Sequence, residues 1–273
     1  MASWLEAGGQ RLSTLIGTNA GSYGTLLPAT AAVNVKGDWT QVVAATPHAA
    51  SGLLVAVGPY AAATGRTFLV DIGVGAAPEQ VLIENILYQA PRVEHVLGPF
   101  FVPVPIPAGT RIAGRCQTAQ NSLNIAVAVS LVQGGFPLYC PLGRATTYGA
   151  ATATSDGTAV DPGTTINTKG AWTQITASCE RIEWLVWIIQ NDANTAMTNM
   201  IWRWDLGIGA AGAEKVVIPD LLGAATSGVD NIQQGALSFP LQVPRGQRIA
   251  ARAQSNNATA ADRITDHVLI GVG

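Results

Sequence analysis

The sequence predicts an all-β protein: two tandem, duplicated β-sandwich domains of jelly-roll-like type behind a short N-terminal arm. Three observations carry this. Phrases recur in the same order in both halves. "KGDWTQ" at Lys36 returns as "KGAWTQ" at Lys169, "DIGVGAA" at Asp71 as "DLGIGAA" at Asp205, and "PAGTRIAGRCQ" at Pro107 as "PRGQRIAARAQ" at Pro244. The apolar runs are short and rich in β-branched residues, as in "SLNIAVAVSLV" (122–132) and "RTFLVDIGV" (66–74). Gly, Asn, Asp, Thr and Pro clusters punctuate these runs at the spacing of a sandwich or barrel, not of a parallel βαβ fold.

The repeat is too long for a solenoid or propeller blade, whose units run roughly 20–50 residues, and is domain-sized. The boundaries are an arm over 1–22, copy 1 over 23–134, a linker over 135–147 and copy 2 over 148–273. The alternative is one domain with internal pseudo-symmetry. The arm, "MASWLEAGGQRLSTLI", carries Trp4, Leu5, Leu12, Leu15 and Ile16, but Gly8 and Gly9 break a helix. It reads as a loosely helical segment that docks on a neighbouring subunit, with Trp4 as the anchor. The linker, "GFPLYCPLGRA", has the Pro and Gly content of a connection.

In each copy the strand after "PVPIP" or "LQVP" follows a tight turn. Pro107 and Pro244 suit its second position, Gly109 and Gly246 the last position of a type I turn. The strand then alternates. Ile112, Gly114 and Cys116 (Ile249, Ala251 and Ala253 in copy 2) form a small apolar face; Arg111, Ala113, Arg115 and Gln117 (Arg248, Ala250, Arg252 and Gln254) form the other. Three readings of the paired arginines stay open: a solvated face with salt bridges, a subunit or domain interface, in which Arg is enriched, or an anion site. The interface candidates are Arg111, Arg115, Arg248 and Arg252. Pro103 and Pro240 mark edge strands.

Hydrophobic residues make up 48% of the chain, charged residues 12%, and the formal net charge is -2. That balance lacks the basic footprint of nucleic-acid binding. A surface so poor in charge points to coverage by neighbours in a homo-oligomer. No apolar run reaches the roughly 18 residues of a membrane span, so no membrane insertion is expected. The start has neither a basic stretch nor an apolar core, so no signal peptide is expected and the protein is made in the cytoplasm, to remain there or be released by lysis. Three cysteines (Cys116, Cys140 and Cys179) form no disulfide framework or zinc pattern; Cys116 falls where copy 2 has Ala253, a small core position.

Chemistry-bearing motifs are missing from the sequence. His48, His95 and His267 have no histidine counterparts and no ligand spacing, and there is no G-x-S-x-G elbow or phosphate loop. The pairs Asp71–Glu79 and Asp205–Glu214 lack a calcium-loop series, so "DxGxG" reads as a turn. No catalytic residue, metal site or cofactor is assigned. Trp39 and Trp172 recur in both copies and read as structural, as do Trp202 and Trp204, which align with Phe68 and Val70. Trp184 faces a small residue of copy 1, Ala50 or Ser51. Trp184 and Trp187 are therefore the candidate glycan-stacking residues, with packing and a subunit contact as the alternatives for Trp184.

The duplicated unit, with "DIGVGAA" and "PAGTRIAGR" in it, resembles virion structural proteins of tailed bacteriophages and gene transfer agents: spike, fibre and tail-associated components. The resemblance implies sandwich or jelly-roll domains assembled with other virion proteins, and in some members attachment to host surface polysaccharide. It transfers no catalytic residue. The expected function is thus a non-enzymatic virion structural protein, a head or tail spike or fibre component assembled in the bacterial cytoplasm and released by lysis. The alternatives are a free, lectin-like carbohydrate-binding sandwich and an enzyme with paired carboxylates across a cleft.

Overall fold

The computed structural model describes residues 13–18, 22–58, 66–90, 96–120, 123–133, 143–191, 199–225 and 235–273. Trp4, His95 and Cys140 lie outside them. Copy 1 holds β1 (Ser13–Ile16), β2 (Thr25–Pro28), β3 (Thr40–Val43), β4 (Gly52–Val57), β5 (Arg66–Val74), β6 (Gln80–Ala90), β7 (Leu97–Val102), β8 (Ile112–Thr118) and β9 (Asn124–Val132). Copy 2 holds β10 (Ala145–Tyr148), β11 (Thr158–Val160), β12 (Thr173–Thr176), β13 (Trp184–Asn191), β14 (Met200–Ile208), β15 (Lys215–Ala225), β16 (Ala236–Phe239), β17 (Ile249–Ser255) and β18 (Thr265–Val272). A single helical turn, α1 (Ala260–Arg263), precedes β18.

Each copy is two antiparallel sheets, and the strand order repeats. In copy 1 one sheet runs β1-β9-β4-β7, with β2 also on β9, and the other runs β3-β8-β5-β6. In copy 2 the orders are β10-β18-β13-β16, with β11 also on β18, and β12-β17-β14-β15. Since β1 and β2 share β9, they count as one interrupted strand. Each copy then has eight strands in the orders 1-8-3-6 and 2-7-4-5, which is the jelly roll. Two tandem β-sandwiches are thus the fold, as the repeat and the periodicity predict.

Four local expectations are corrected. Ser13–Ile16 is not arm: it pairs with β9 from Ser13↔Val132 to Ile16↔Val129. Residues 145–147 are not linker: they belong to β10, paired with β18. The turn is set one residue differently. The Gln247 N–H donates to Pro244 O, so proline holds the first position and Gly246 the third, where its φ of 85° meets the type II requirement; Gly109, φ 77°, does the same in copy 1. Finally, the registers Gly52↔Val132 and Trp184↔Val272 align Trp184 with Gly52, not with Ala50 or Ser51.

The two jelly rolls are not independent beads. In β13, Leu185, Trp187 and Ile189 point into the core of copy 2, whereas Val186 and Ile188 join the core of copy 1. The next strand of that sheet, β18, is buried along its whole length, with Val268, Ile270 and Val272 turned to copy 1. This is why "LVWII" shows no polar alternation: both faces of the sheet are covered, one by its own roll and one by its neighbour. Polar contacts border the junction. Gln89 Nε2 donates to Asp266 Oδ2 (2.8 Å), Asn34 Nδ2 to Thr154 Oγ1 (2.7 Å), and Thr147 Oγ1 to Glu84 O.

Candidate functional site

The three recurring phrases, far apart in each copy, converge on one cluster per jelly roll. In copy 1, Asp71 on β5 points out of the sandwich and is nearly covered. Its Oδ1 accepts from Lys36 Nζ (2.5 Å) and from the Asn85 N–H (2.9 Å), and its Oδ2 accepts from Arg115 Nε (2.9 Å). The Arg115 guanidinium lies 4.4 Å from the ring centroid of Trp39, a cation–π contact. Copy 2 repeats every part. Asp205 accepts from Lys169 Nζ (2.7 Å), from the Asp220 N–H (2.9 Å) and from Arg252 Nε (2.8 Å), and Arg252 stacks 4.5 Å from Trp172.

Local backbone geometry explains why the phrases read as they do. The strand register slips at Asp71 and Asp205, where β6 and β15 each carry a bulge. The bulged residues, Asn85 (φ 53°) and Asp220 (φ 47°), turn their N–H groups onto the carboxylate. The glycine two residues after each aspartate makes room for tryptophan: a Cβ on Gly73 would sit 2.7 Å from Trp39, and one on Gly207 2.7 Å from Trp172. The second arginine closes the far end. Arg111 pairs with Glu79 and donates to Gly75 O (3.3 Å). Arg248 pairs with Glu214 (2.7 Å), donates to Gly209 O (3.4 Å) and reaches Gln174 Oε1 (2.9 Å).

The electrostatics follow. Burial pushes the Lys36 ammonium below its ordinary 10.5, against the pull of Asp71. Burial raises the Asp205 carboxyl, but the Asp220 N–H, Lys169 and Arg252 outweigh it and hold the group below 3.8. Arg111 lowers Glu79. These are charges satisfied inside one chain. Arg111, Arg115, Arg248 and Arg252, the interface candidates, all spend their guanidinium groups on carboxylates of their own copy. The reading as a strand face laced with salt bridges matches this geometry.

The aromatic candidates divide. Trp187 is corrected: it is fully buried, its Nε1 donates to His267 Nδ1 (2.9 Å), and the two rings pack at a 44° tilt, so it offers no platform to a sugar. It belongs to a buried network. Trp204 Nε1 donates to Thr265 Oγ1 (3.1 Å), which lies 2.8 Å from His267 Nε2, and Trp202 Nε1 donates to Arg263 O (2.9 Å). Burial pushes His267 down to about 3, so it is a neutral acceptor for Trp187. Trp184 is half-buried at the junction of the copies. Its Nε1 donates to Phe101 O (3.1 Å) and its ring meets the edge of Phe101 at 5.7 Å, 90°. It is a contact between jelly rolls, not an open platform.

Among the described residues no group of three His, Cys, Asp or Glu is placed to hold a metal ion. Cys116 and Cys179 are buried free thiols, and burial pushes Cys116 up to about 12. No helix among the described residues is long and apolar enough to cross a membrane. An open groove of about 390 Å³ lies on the outer face of β14 and β17, lined by Asn167, Ile201, Arg203, Gln254, Ser255 and Asn256. No sequence signal marks it, because these residues are scattered over three segments and match no motif.

No protein-family model matches the chain, and no curated protein matches it. Among solved structures, the chain is similar to the N-terminal CBM22-1–CBM22-2 tandem domain of Paenibacillus barcinonensis Xyn10C. The match has 11% identity over 98% of this chain and 95% of that one, with a TM-score of 0.27. The jelly-roll assignment rests on the strand order.

Proposed function

We propose that this chain is a non-catalytic architectural protein, a structural block of a phage-type particle that works through its surfaces. The observation that carries the reading is the shared core: the central strands β13 and β18 of one copy 2 sheet are covered on both faces, so two jelly rolls are welded into one rigid body. The recurring charged phrases support it too, since each serves to lock a sheet. Jelly rolls are a common solution for capsid and lectin domains. The resemblance of both repeats to phage and gene-transfer-agent virion proteins supports placing such a block on a head or tail. The test is mass spectrometry of gradient-purified particles from the source strain. The expected result is this chain in many copies per particle; its absence from particles, with all of it free in the lysate, overturns the reading.

One observation favours a second reading, glycan binding. The open groove of copy 2 presents two asparagines, a glutamine and Arg203, the amide and guanidinium groups that hydrogen-bond sugar hydroxyls. Binding to a glycan array that disappears in an Arg203→Ala/Asn256→Ala variant supports it. An array without signal refutes it.

A further inference from the structure

We infer that the chain associates head to tail with further copies of itself, through a contact that repeats between chains the one that joins its two jelly rolls. This goes beyond the particle reading and stands on the internal junction alone. In that junction, copy 2 presents the outer face of its β10-β18-β13-β16 sheet to β6 and β7 of copy 1. Both partners of this contact exist twice in the molecule, because both jelly rolls have both surfaces. Copy 1 has the same sheet face, on β1, β2, β4 and β9. Copy 2 has the counterpart of β6 in β15, while β16, the counterpart of β7, already lies against β7 within the chain. Among the described residues, Leu15 and Leu26 of the one surface and Ile201 and Leu222 of the other stand open.

Both are unusually apolar for exposed surface. On copy 1, Leu15 is 56% and Leu26 61% exposed, beside the half-buried Leu54 and Ala56. On copy 2, Leu222 is 55% and Ile201 50% exposed. The registers align β6 with β15, so Leu222 holds the place of Leu87, and Ile201 that of Thr67. Leu87 and Thr67 are 0% and 2% exposed. The same position is thus fully buried where a jelly roll docks and open where none does.

The contacting pairs also change together. Internally, Gln89 of copy 1 bonds Asp266 of copy 2; the corresponding positions are Ala224 and Ala126. Internally, Thr147 donates to Glu84 O; the corresponding positions are Pro219 and Leu15. Internally, Trp184 packs on Phe101; the corresponding positions are Gly52 and Ser238. The first two pairs are replaced on both sides by apolar residues, so bringing the second surfaces together strands no polar side chain there; at the third, Ser238 already donates to Phe101 O within the chain. Asn34, bonded to Thr154 in the internal junction, corresponds to Asn167 in the open groove of copy 2. The groove is therefore the vacant counterpart of a covered surface, and its occupant is copy 1 of the next chain. Such a contact is heterologous, and it makes a ring if the rotation closes.

The test is light scattering coupled to size exclusion on the full chain and two variants, Leu15→Asp and Leu222→Asp. Each variant spoils one surface and spares the other. The wild-type chain is expected to be oligomeric, and each variant monomeric, with self-association at least about tenfold weaker. An equimolar mixture of the variants retains one intact pair of surfaces and is expected to form a dimer of one chain of each kind. A contact of one patch with itself cannot give that result. A wild-type chain that stays monomeric at about 100 μM, variants that assemble as the wild type does, or a mixture that stays monomeric each overturns the proposal. Leu26→Asp and Ile201→Asp repeat the test with other side chains on the same patches, and near-ultraviolet circular dichroism checks that all four fold.

Discussion

Removing the carboxylate at the centre of the recurring cluster should cost more in copy 1 than in copy 2. Asp71→Ala takes away the acceptor of Lys36, of Arg115 and of the bulged Asn85 N–H at once. Lys36 is then left with Leu69 O (3.1 Å), while burial and the neighbouring Arg115 both oppose its charge. Breaking a buried pair by deleting one partner costs about 3–5 kcal/mol. Lys36 and Arg115 retain 18% and 28% side-chain exposure, so the lower end, about 3 kcal/mol, is expected. In copy 2, Asp205→Ala leaves Lys169 paired with a second carboxylate, Asp220, at 3.0 Å, where copy 1 has Asn85. That exposed pair should save about 1 kcal/mol, on the scale of a surface ion pair. Urea unfolding followed by tryptophan fluorescence gives both costs from the midpoints at constant slope. Adding Lys36→Met to Asp71→Ala should recover part of the loss. Equal costs in the two copies, a larger cost for Asp205, or less than about 1 kcal/mol at Asp71 would refute the reasoning.

Acid should weaken the fold through His267. It is neutral when folded, with its pKa lowered from 6.5 to about 3, so between those values only the unfolded chain takes up the proton. Stability from this group is full above pH 6.5 and falls by about 1.4 kcal/mol per unit below it, about 3 kcal/mol by pH 4.5. His267→Val, the residue at the matching place in copy 1 (Val127), should flatten that slope; an unchanged slope would contradict the assignment. Trp187→Ala should cost about 3–5 kcal/mol in the same urea assay, as a core truncation; a cost below about 1 kcal/mol would return Trp187 to the surface. Gly246→Val should cost about 1–2 kcal/mol by thermal unfolding, because a β-branched residue resists the φ of 85° at that turn even though nothing crowds the position. Cys116 and Cys179 should resist alkylation in the native protein and react once it is denatured, read by mass spectrometry.

The duplication and the class of fold were legible because strand periodicity and turn residues are local properties, and both halves show them. Convergence of the three phrases was not. Lys36, Asp71 and Arg115 lie on three strands or their flanks, and they meet only because β3, β8 and β5 are neighbours in the sheet. The bulges that aim Asn85 and Asp220 leave no periodic trace. Trp184 and Trp187 looked alike in the sequence because "RIEWLVWIIQ" gives no polar face from which to tell inside from outside. The structure shows why: Trp187 faces its own core and Trp184 the neighbouring roll. Leu15 looked like part of an arm because the four-residue β1 is too short to show alternation.

The claim that two jelly rolls act as one rigid block is tested most directly by differential scanning calorimetry of the intact chain. A single transition is expected, with calorimetric and van't Hoff enthalpies equal, because Val186, Ile188, Val268 and Ile270 belong to a core shared with copy 1. Two resolved transitions, each carrying about half the enthalpy, would contradict the account and make the rolls separate domains on a tether.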